Sequence, residues 1–222
     1  MSQLVVFVHT VPPSIALFDQ LGREMLPEVQ RSHILDEPLL MAVRQHGKIN
    51  RQHSLRLLSH LRLAQQTGAA AALVTCSTLS PAVDRISSAV RMPVLGIDGP
   101  MVEQAVLCGR RIGIVATAEV TVIATTQRLQ DQARRSGKGI ELDSEFVPGA
   151  LQALLRGDSG THDRLVKAAV LGMMARADVV VLAQASMARV LEVLPEPERL
   201  VPVLSSPTLA MLRLRSLLSK DL

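Results

Sequence analysis

The 222 residues are enough for one large domain or two small α/β lobes, and 48% of them are apolar, which supplies a sizeable core. The net charge of +4 raises the question of nucleic-acid binding, but the arginines are scattered and stacking aromatics are almost absent. No apolar run approaches the roughly 18 residues of a membrane span, and no secretory signal pattern opens the chain. The two cysteines give no disulfide framework. We therefore expect a cytoplasmic protein with neither nucleic-acid nor membrane partners.

Short apolar runs alternate with segments whose apolar residues recur at helical spacing. In the first half, strands are predicted at 5–9, 31–35, 71–75 and 93–97, and helices at 14–25, 49–66 and 81–90. In the second half, strands are predicted at 112–117, 140–146, 179–183 and 201–204, and helices at 101–107, 121–135, 149–155, 163–176 and 208–218. Unbroken apolar strands that alternate with helices are typical of parallel sheets covered on both faces.

The two halves of the chain resemble each other. Three segments of the first half have counterparts in the second, in the same order and at near-equal spacing: 6–10 with 113–117, 72–77 with 180–185, and 92–95 with 201–204. This pattern indicates a duplication and predicts an α/β fold of two pseudo-symmetric lobes, each a mainly parallel sheet flanked by helices. Ligands of such sheets bind beyond the carboxyl ends of the strands.

The lobe boundaries follow from the duplicated segments. We expect an N-terminal lobe at 1–98 and a C-terminal lobe at 99–206, with the active-site cleft between them. The last helix, 207–222, is expected to pack back on the first lobe. Its leucines between arginines are also a candidate dimer surface, so a homo-oligomer stays open.

Cys76 is the first candidate for chemistry. It follows the third predicted strand and precedes Ser77, Thr78 and a proline, which are typical of a helix start. The amino terminus of a helix favours the thiolate, which is the reactive form of cysteine. The alternative is a small buried hydrophobic residue, which is the role we expect for Cys108.

Polar side chains follow several of the predicted strands. Hydroxyl groups stand at Thr10, Thr75, Ser77, Thr78 and Thr117. With free backbone N–H groups they could hold a carboxylate and stabilise developing negative charge, or they could be ordinary caps and turns. His9 could polarise a substrate or lower the pKa of Cys76, or it could be structural.

A second group of histidines lies on a predicted helix. His46, His53 and His60 are seven residues apart, but no cysteine or carboxylate completes a metal-ligand set around them. We therefore assign them to the surface and predict no metal site.

The strand ends together resemble the aspartate/glutamate/hydantoin racemase superfamily over nearly the whole chain. The resemblance is carried by the segments 9–11, 75–78, 93–97, 111–117 and 179–184. It implies an enzyme without pyridoxal, metal or other cofactor that acts on a small carboxylate substrate. In the usual pattern two cysteines, one per lobe, flank the substrate carbon, and one removes a proton while the other delivers one. Relatives that decarboxylate arylmalonates or isomerise maleate use a single cysteine.

This chain departs from the two-cysteine pattern at one position. Cys76 is retained, but the second position holds Gln184. An amide neither gains nor loses a proton at ordinary pH, although its NH₂ group can bind a carboxylate or enediolate oxygen. The catalytic pair expected here is therefore Cys76 with Gln184, and Ala185 and Ser186 are expected to line the substrate beside it.

The resemblance implies a racemase or isomerase that acts next to the carboxylate of a small amino or dicarboxylic acid, with Cys76 as its thiol. The alternatives are a one-cysteine decarboxylase or lyase of the same superfamily and a non-catalytic protein that binds small carboxylates.

Overall fold

The computed structural model describes residues 3–194 and 199–219. These residues divide into two compact units, one within Met1–Gly99 and Pro207–Leu222 and the other within Pro100–Ser206. Residues 220–222 of the predicted last helix lie outside the described residues, and so do the first two residues of the predicted first lobe.

The first unit is built on a parallel sheet. Its strands are β1 Leu4–His9, β2 Gln30–Leu35, β3 Ala71–Val74 and β4 Val94–Gly96. The sheet order is β2-β1-β3-β4. The helices are α1 Pro13–Met25, α2 Glu37–His46, α3 Arg51–Gln66 and α4 Ser80–Ile86, with 3₁₀ turns at Ser77–Leu79 and Ser87–Ala89. Every residue of β3 is buried, as the unbroken apolar pattern of a central parallel strand predicts.

The second unit repeats this plan. After α5 Gly99–Cys108 come the strands β5 Arg111–Ala116, β6 Glu141–Phe146, β7 Val179–Leu182 and β8 Val203–Ser205. The sheet order is β6-β5-β7-β8, again all parallel. Between the strands lie α6 Glu119–Arg135, α7 Ala150–Leu155, α8 Ser159–Met174, a 3₁₀ turn at Ala185–Arg189, and α9 Val190–Val193. The last helix, α10 Ser206–Leu218, starts at the end of this unit and continues into the first.

The strand registers of the two sheets match. Val8 pairs with Val74 in the first sheet as Val115 pairs with Leu182 in the second. Along the next pair of strands, Gly96 stands opposite Val74, and Ser205 opposite Leu182. The predicted α/β fold with two lobes, each a parallel sheet flanked by helices, is confirmed.

The boundaries of some helices differ from the predictions. The helix α2 was not predicted, and it is separated from α3 by Gly47, whose φ of 68° needs the conformational freedom of glycine. The predicted helix at 81–90 keeps α-helical geometry only to Ile86 and then tightens into a 3₁₀ turn. Among the described helices, none combines the length and hydropathy needed to cross a membrane.

Candidate functional site

The candidate residues follow the central strands of each sheet. In the first unit, Thr10 follows β1, and Thr75 and Cys76 follow β3. In the second unit, Thr117 follows β5, and Gln184 lies two residues beyond the end of β7. Because parallel neighbours end at the same edge, the register brings these residues together within each sheet.

Cys76 links β3 to the 3₁₀ turn that precedes α4. Its backbone is extended, and its carbonyl oxygen accepts the N–H of Leu79 at 3.0 Å, which closes the turn. Leu79 is fully buried, so the turn is anchored in the core. The Cys76 side chain is half-buried against that core, whereas Ser77 and Thr78 are exposed. The predicted helix start is thus a 3₁₀ turn, and α-helical geometry begins at Ser80.

Thr75, the residue before Cys76, ends a row of three hydrogen-bonded side chains that also includes His9 and His33. The Nδ1 atom of His9 is 2.8 Å from Oγ1 of Thr75, and its Nε2 atom is 2.9 Å from Nδ1 of His33. The hydroxyl of Thr75 also donates to the carbonyl oxygen of Val8 at 3.2 Å. His9 is 0% exposed, so both of its ring nitrogens are engaged by protein groups inside the first unit.

Burial sets the protonation state of this chain. It lowers the pKa of His9 to about 4, and the nearby His33 lowers it further. Burial also lowers the pKa of His33; Asp19 opposes this effect and Arg31 adds to it. His9 is therefore a neutral imidazole near pH 7.

A buried carboxylate that was not among the predicted site residues, Asp36, follows the end of β2. Asp36 accepts the N–H of Leu39 at 3.0 Å as the N-cap of α2. It also accepts two N–H groups of Arg56, at 2.7 and 2.6 Å, and lies 2.7 Å from Nε2 of His60. A polar residue before a helix is a sequence signal for an N-cap, but the contacts of Asp36 with α3 depend on the tertiary fold.

This arrangement corrects the assignment of the histidines of α2 and α3 to the surface. His60 is half-buried and contacts Asp36. His53 is buried, and its ring accepts the N–H of Asn50 in the capping box of α3. Only His46 of the three is exposed. Among residues 3–194 and 199–219, no group of three or more ligand-type side chains is arranged to hold a metal.

In the second unit, Gln184 and Thr117 bind each other. The Oε1 atom of Gln184 accepts the backbone N–H of Thr117 at 2.6 Å and its hydroxyl at 3.0 Å. Because a backbone N–H can only donate, the bonded atom must be the amide oxygen. The NH₂ group of Gln184 is therefore the donor that remains for a ligand.

The residues after Gln184 form a 3₁₀ turn that is held to α8. Within this turn Ala185 is half-buried and Ser186 is exposed. Arg189 at the end of the turn donates to Asp163 of α8 at 2.9 Å. The segment that carries Gln184 thus has a fixed position within the second unit.

The remaining candidates are also placed by the structure. Thr10 is buried at the end of β1. Cys108 is exposed rather than buried, and its sulfur accepts the side-chain N–H of Gln104 at 3.0 Å. The expectation of a buried structural Cys108 is therefore wrong, because α5 presents its last residue to solvent.

The fold is shared with solved racemases. Glutamate racemase isoform RacE1 from Bacillus anthracis matches with a TM-score of 0.70 and 16% identity, over 99% of this chain and 82% of that one. Allantoin racemase from Klebsiella pneumoniae matches with a TM-score of 0.69 and 17% identity, over 100% and 89%. An aspartate racemase homologue from Pyrococcus horikoshii OT3 matches with a TM-score of 0.70 and 14% identity, over 99% and 100%. At these identities the likeness shows the fold.

The amino-acid sequence identifies the family of this chain. No curated protein matches the chain. The family model for Asp/Glu/hydantoin racemases, however, matches residues 16–214, which include Cys76, Thr117 and Gln184. Racemases are isomerases, and this chain belongs to the Asp/Glu/hydantoin racemase family.

Proposed function

We propose that this protein is a cofactor-independent racemase or isomerase that acts on the carbon next to the carboxylate of a small amino or dicarboxylic acid. Cys76 is the proposed catalytic thiol. One observation carries the proposal: in a chain of this family, a half-buried cysteine lies two residues beyond a central strand, at the edge where such sheets bind ligands.

The proposed step is a proton transfer. The Cys76 thiolate removes the proton of the substrate carbon, and the electron pair of the broken C–H bond moves towards the carboxylate, giving an enediolate. For racemisation, a proton delivered to the opposite face of the carbon, by water or by a second acid, inverts the configuration, and the Cys76 thiol then releases its proton to solvent. The NH₂ group of Gln184 is proposed to donate to the developing negative charge, because its oxygen is already held by Thr117.

The other candidate residues have proposed roles around this step. The exposed hydroxyls of Ser77 and Thr78 are proposed to bind the substrate carboxylate, together with Ser186. Thr10, Thr117 and Ala185 are proposed to shape the place where it binds. His9 and Thr75 were also candidates for substrate binding, but their polar atoms are engaged inside the first unit.

A one-cysteine decarboxylase or lyase is the second candidate, and the bonding of Gln184 favours it. An amide whose oxygen is held by two donors supplies no proton to a second face of the substrate. In this reaction the C–C bond to a carboxylate breaks, CO₂ leaves, and the Cys76 thiol protonates the remaining carbanion.

Reaction in deuterated water tests both candidates. Glutamate, aspartate, allantoin and substituted malonates are incubated with the wild type, with Cys76→Ser, and with Cys108→Ser as the matched control at an exposed cysteine. We expect Cys76→Ser to lower the rate by about 10²–10⁴-fold, the usual contribution of a positioned acid–base group. Mass spectrometry and chiral chromatography follow deuterium uptake, configuration and CO₂.

Each outcome decides between the candidates. Deuterium uptake with inversion or isomerisation supports the proposed function, and CO₂ release without racemisation supports the second candidate. Full activity of Cys76→Ser contradicts both. Saturable binding of these acids without turnover would identify a carboxylate-binding protein.

A further inference from the structure

The chain of His33, His9 and Thr75 belongs to one of the two duplicated sheets. The shared register assigns each of these residues a counterpart in the second sheet. The counterpart of His9 is Ala116. Those of Thr75 and His33 are Ala183 and Ser144.

Strand pairing therefore does not require these polar side chains. In the second sheet the backbone N–H of Ala183 donates to Val115 at 3.0 Å, as the N–H of Thr75 donates to Val8 at 3.0 Å in the first. The same bond forms with alanine as with threonine. Burying an imidazole costs free energy unless its nitrogens are bonded. Both nitrogens of His9 are bonded, to Thr75 and to His33, so the buried polar groups satisfy one another although the sheet does not need them.

The carbonyl oxygen of Val8, at one end of this row of hydrogen bonds, fixes the direction of every bond in it. The carbonyl oxygen of Val8 only accepts, so the Thr75 hydroxyl donates to it and accepts from Nδ1–H of His9. Neutral His9 then presents a lone pair at Nε2, which accepts from Nδ1–H of His33. Every polar hydrogen in the chain has one acceptor, and the half-buried His33 is its outer end.

We infer that His9 and Thr75 are positioning residues that hold Cys76 at the end of β3, with His33 fixing the ring of His9. Thr75 is joined to Val8 of β1 through both its N–H and its hydroxyl, and His9 holds the same hydroxyl from the other side. The residue before the thiol is thus tied to the neighbouring strand at three points. The inference rests on the proposed role of Cys76 as the reacting thiol.

The test removes one oxygen atom. Thr75→Val keeps the shape of the side chain but leaves Nδ1–H of His9 without its acceptor, whereas Thr75→Ser keeps the hydroxyl. Thr125→Val is the matched control, because Thr125 is also a buried threonine but lies on α6. Alkylation of Cys76 by iodoacetamide is followed by peptide mass spectrometry, and exposed Cys108 is the internal reference in every sample.

Two readouts should move in opposite directions. In Thr75→Val we expect Cys76 to be alkylated about fivefold faster, the factor that corresponds to one net hydrogen bond, because the half-buried thiol is released. We expect kcat for the Cys76-dependent reaction to fall by at least as much while KM stays nearly constant. Thr75→Ser should recover most of both effects, and Thr125→Val should leave the alkylation ratio unchanged.

The inference is overturned if Cys76 in Thr75→Val is alkylated at the wild-type rate, or if Thr75→Ser behaves like Thr75→Val. Alkylation needs no substrate, so it is judged apart from the proposed function. Faster alkylation of Cys76 in Thr75→Val, without turnover of any acid, would contradict the proposed function but not the positioning role. Cys76-dependent turnover with unchanged alkylation would remove only the positioning role.

Discussion

At the scale of single residues, Gln184 shows how a partner fixes the chemistry of an ambiguous group. A free glutamine offers either an acceptor or a donor to a ligand. Here Thr117 takes the oxygen with two donors, so only the NH₂ group remains. Gln184 thus presents a hydrogen-bond donor, which suits an anionic oxygen.

Gln184→Glu tests this role. The carboxylate can still accept both donors of Thr117, so the stability of the fold should change little. It places negative charge where the amide donor is proposed to bind the substrate, and we expect KM for an anionic substrate to rise at least about tenfold. Steady-state kinetics and urea unfolding measure the two effects.

The control for this experiment is Gln132→Glu on α6, which introduces the same charge beside Arg135. It should leave KM unchanged. An unchanged KM in Gln184→Glu would show that the NH₂ group does not touch the substrate.

At the scale of elements, Asp36 joins a strand to two helices. Its backbone N–H donates to the carbonyl oxygen of His9, its side chain caps α2, and Arg56 and His60 reach it from α3. Burial alone would raise the pKa of Asp36, but the hydrogen bonds from His60, Arg56 and the Leu39 N–H outweigh it and lower the pKa. The ionised carboxylate therefore holds α2 and α3 to the end of β2.

Asp36→Ala should be strongly destabilising. It removes a helix cap and several charge-assisted hydrogen bonds at a buried site, and we expect a loss of about 2–4 kcal/mol in the free energy of unfolding. Urea unfolding at pH 7 measures it. Asp158→Ala is the matched comparison, because Asp158 caps α8 through Thr161 at an exposed position. A loss no larger than that of Asp158→Ala would show that the contacts with Arg56 and His60 contribute little.

At the scale of the whole molecule, the duplication allows residues at matched positions of the two sheets to be compared. Both sheets share strand order and register, yet one carries Cys76 beside His9 and Thr75 while the other carries Gln184 beside alanines. Where two sheets with the same register carry different residues at matched positions, strand pairing does not require either residue. The residues that differ between matched positions are therefore the first candidates for a functional role.

The burial of His9, which the second unit does not repeat, predicts how the stability of the fold depends on pH. The pKa of His9 is about 4 in the fold and 6.5 when the chain is unfolded. The unfolded state thus binds a proton that the folded state rejects in this range, and stability falls as the pH drops from about 6.5 to about 4. This shift corresponds to a loss of about 3 kcal/mol at most.

Urea unfolding at pH 7, 6, 5 and 4.5 measures this dependence. His9→Gln, which cannot be protonated, should show a visibly flatter curve, although the lowered pKa of His33 leaves some slope of the same sign. Parallel curves for the wild type and His9→Gln would contradict the buried neutral state of His9.

The sequence by itself determined the alternation of strands and helices, the duplication, the family and the candidate positions of Cys76, Thr117 and Gln184. These follow from local patterns, namely apolar periodicity and repeated strand ends, which depend on near neighbours in the chain. Predictions were weakest for short elements, such as the 3₁₀ turn after Cys76 and the ten-residue helix α2, because a few residues carry too little apolar periodicity to identify them.

Only the tertiary structure decided the partners of the polar groups. His9 meets Thr75 across 66 residues and His33 across 24, Gln184 meets Thr117 across 67, and Asp36 meets Arg56 across 20. The strand register sets which side chains become neighbours in the first three of these contacts, and the packing of α3 sets the last. A hydrogen bond requires placement within a few tenths of an ångström. Such placement is a property of the folded sheet and its helices, so no local pattern in the sequence encodes it.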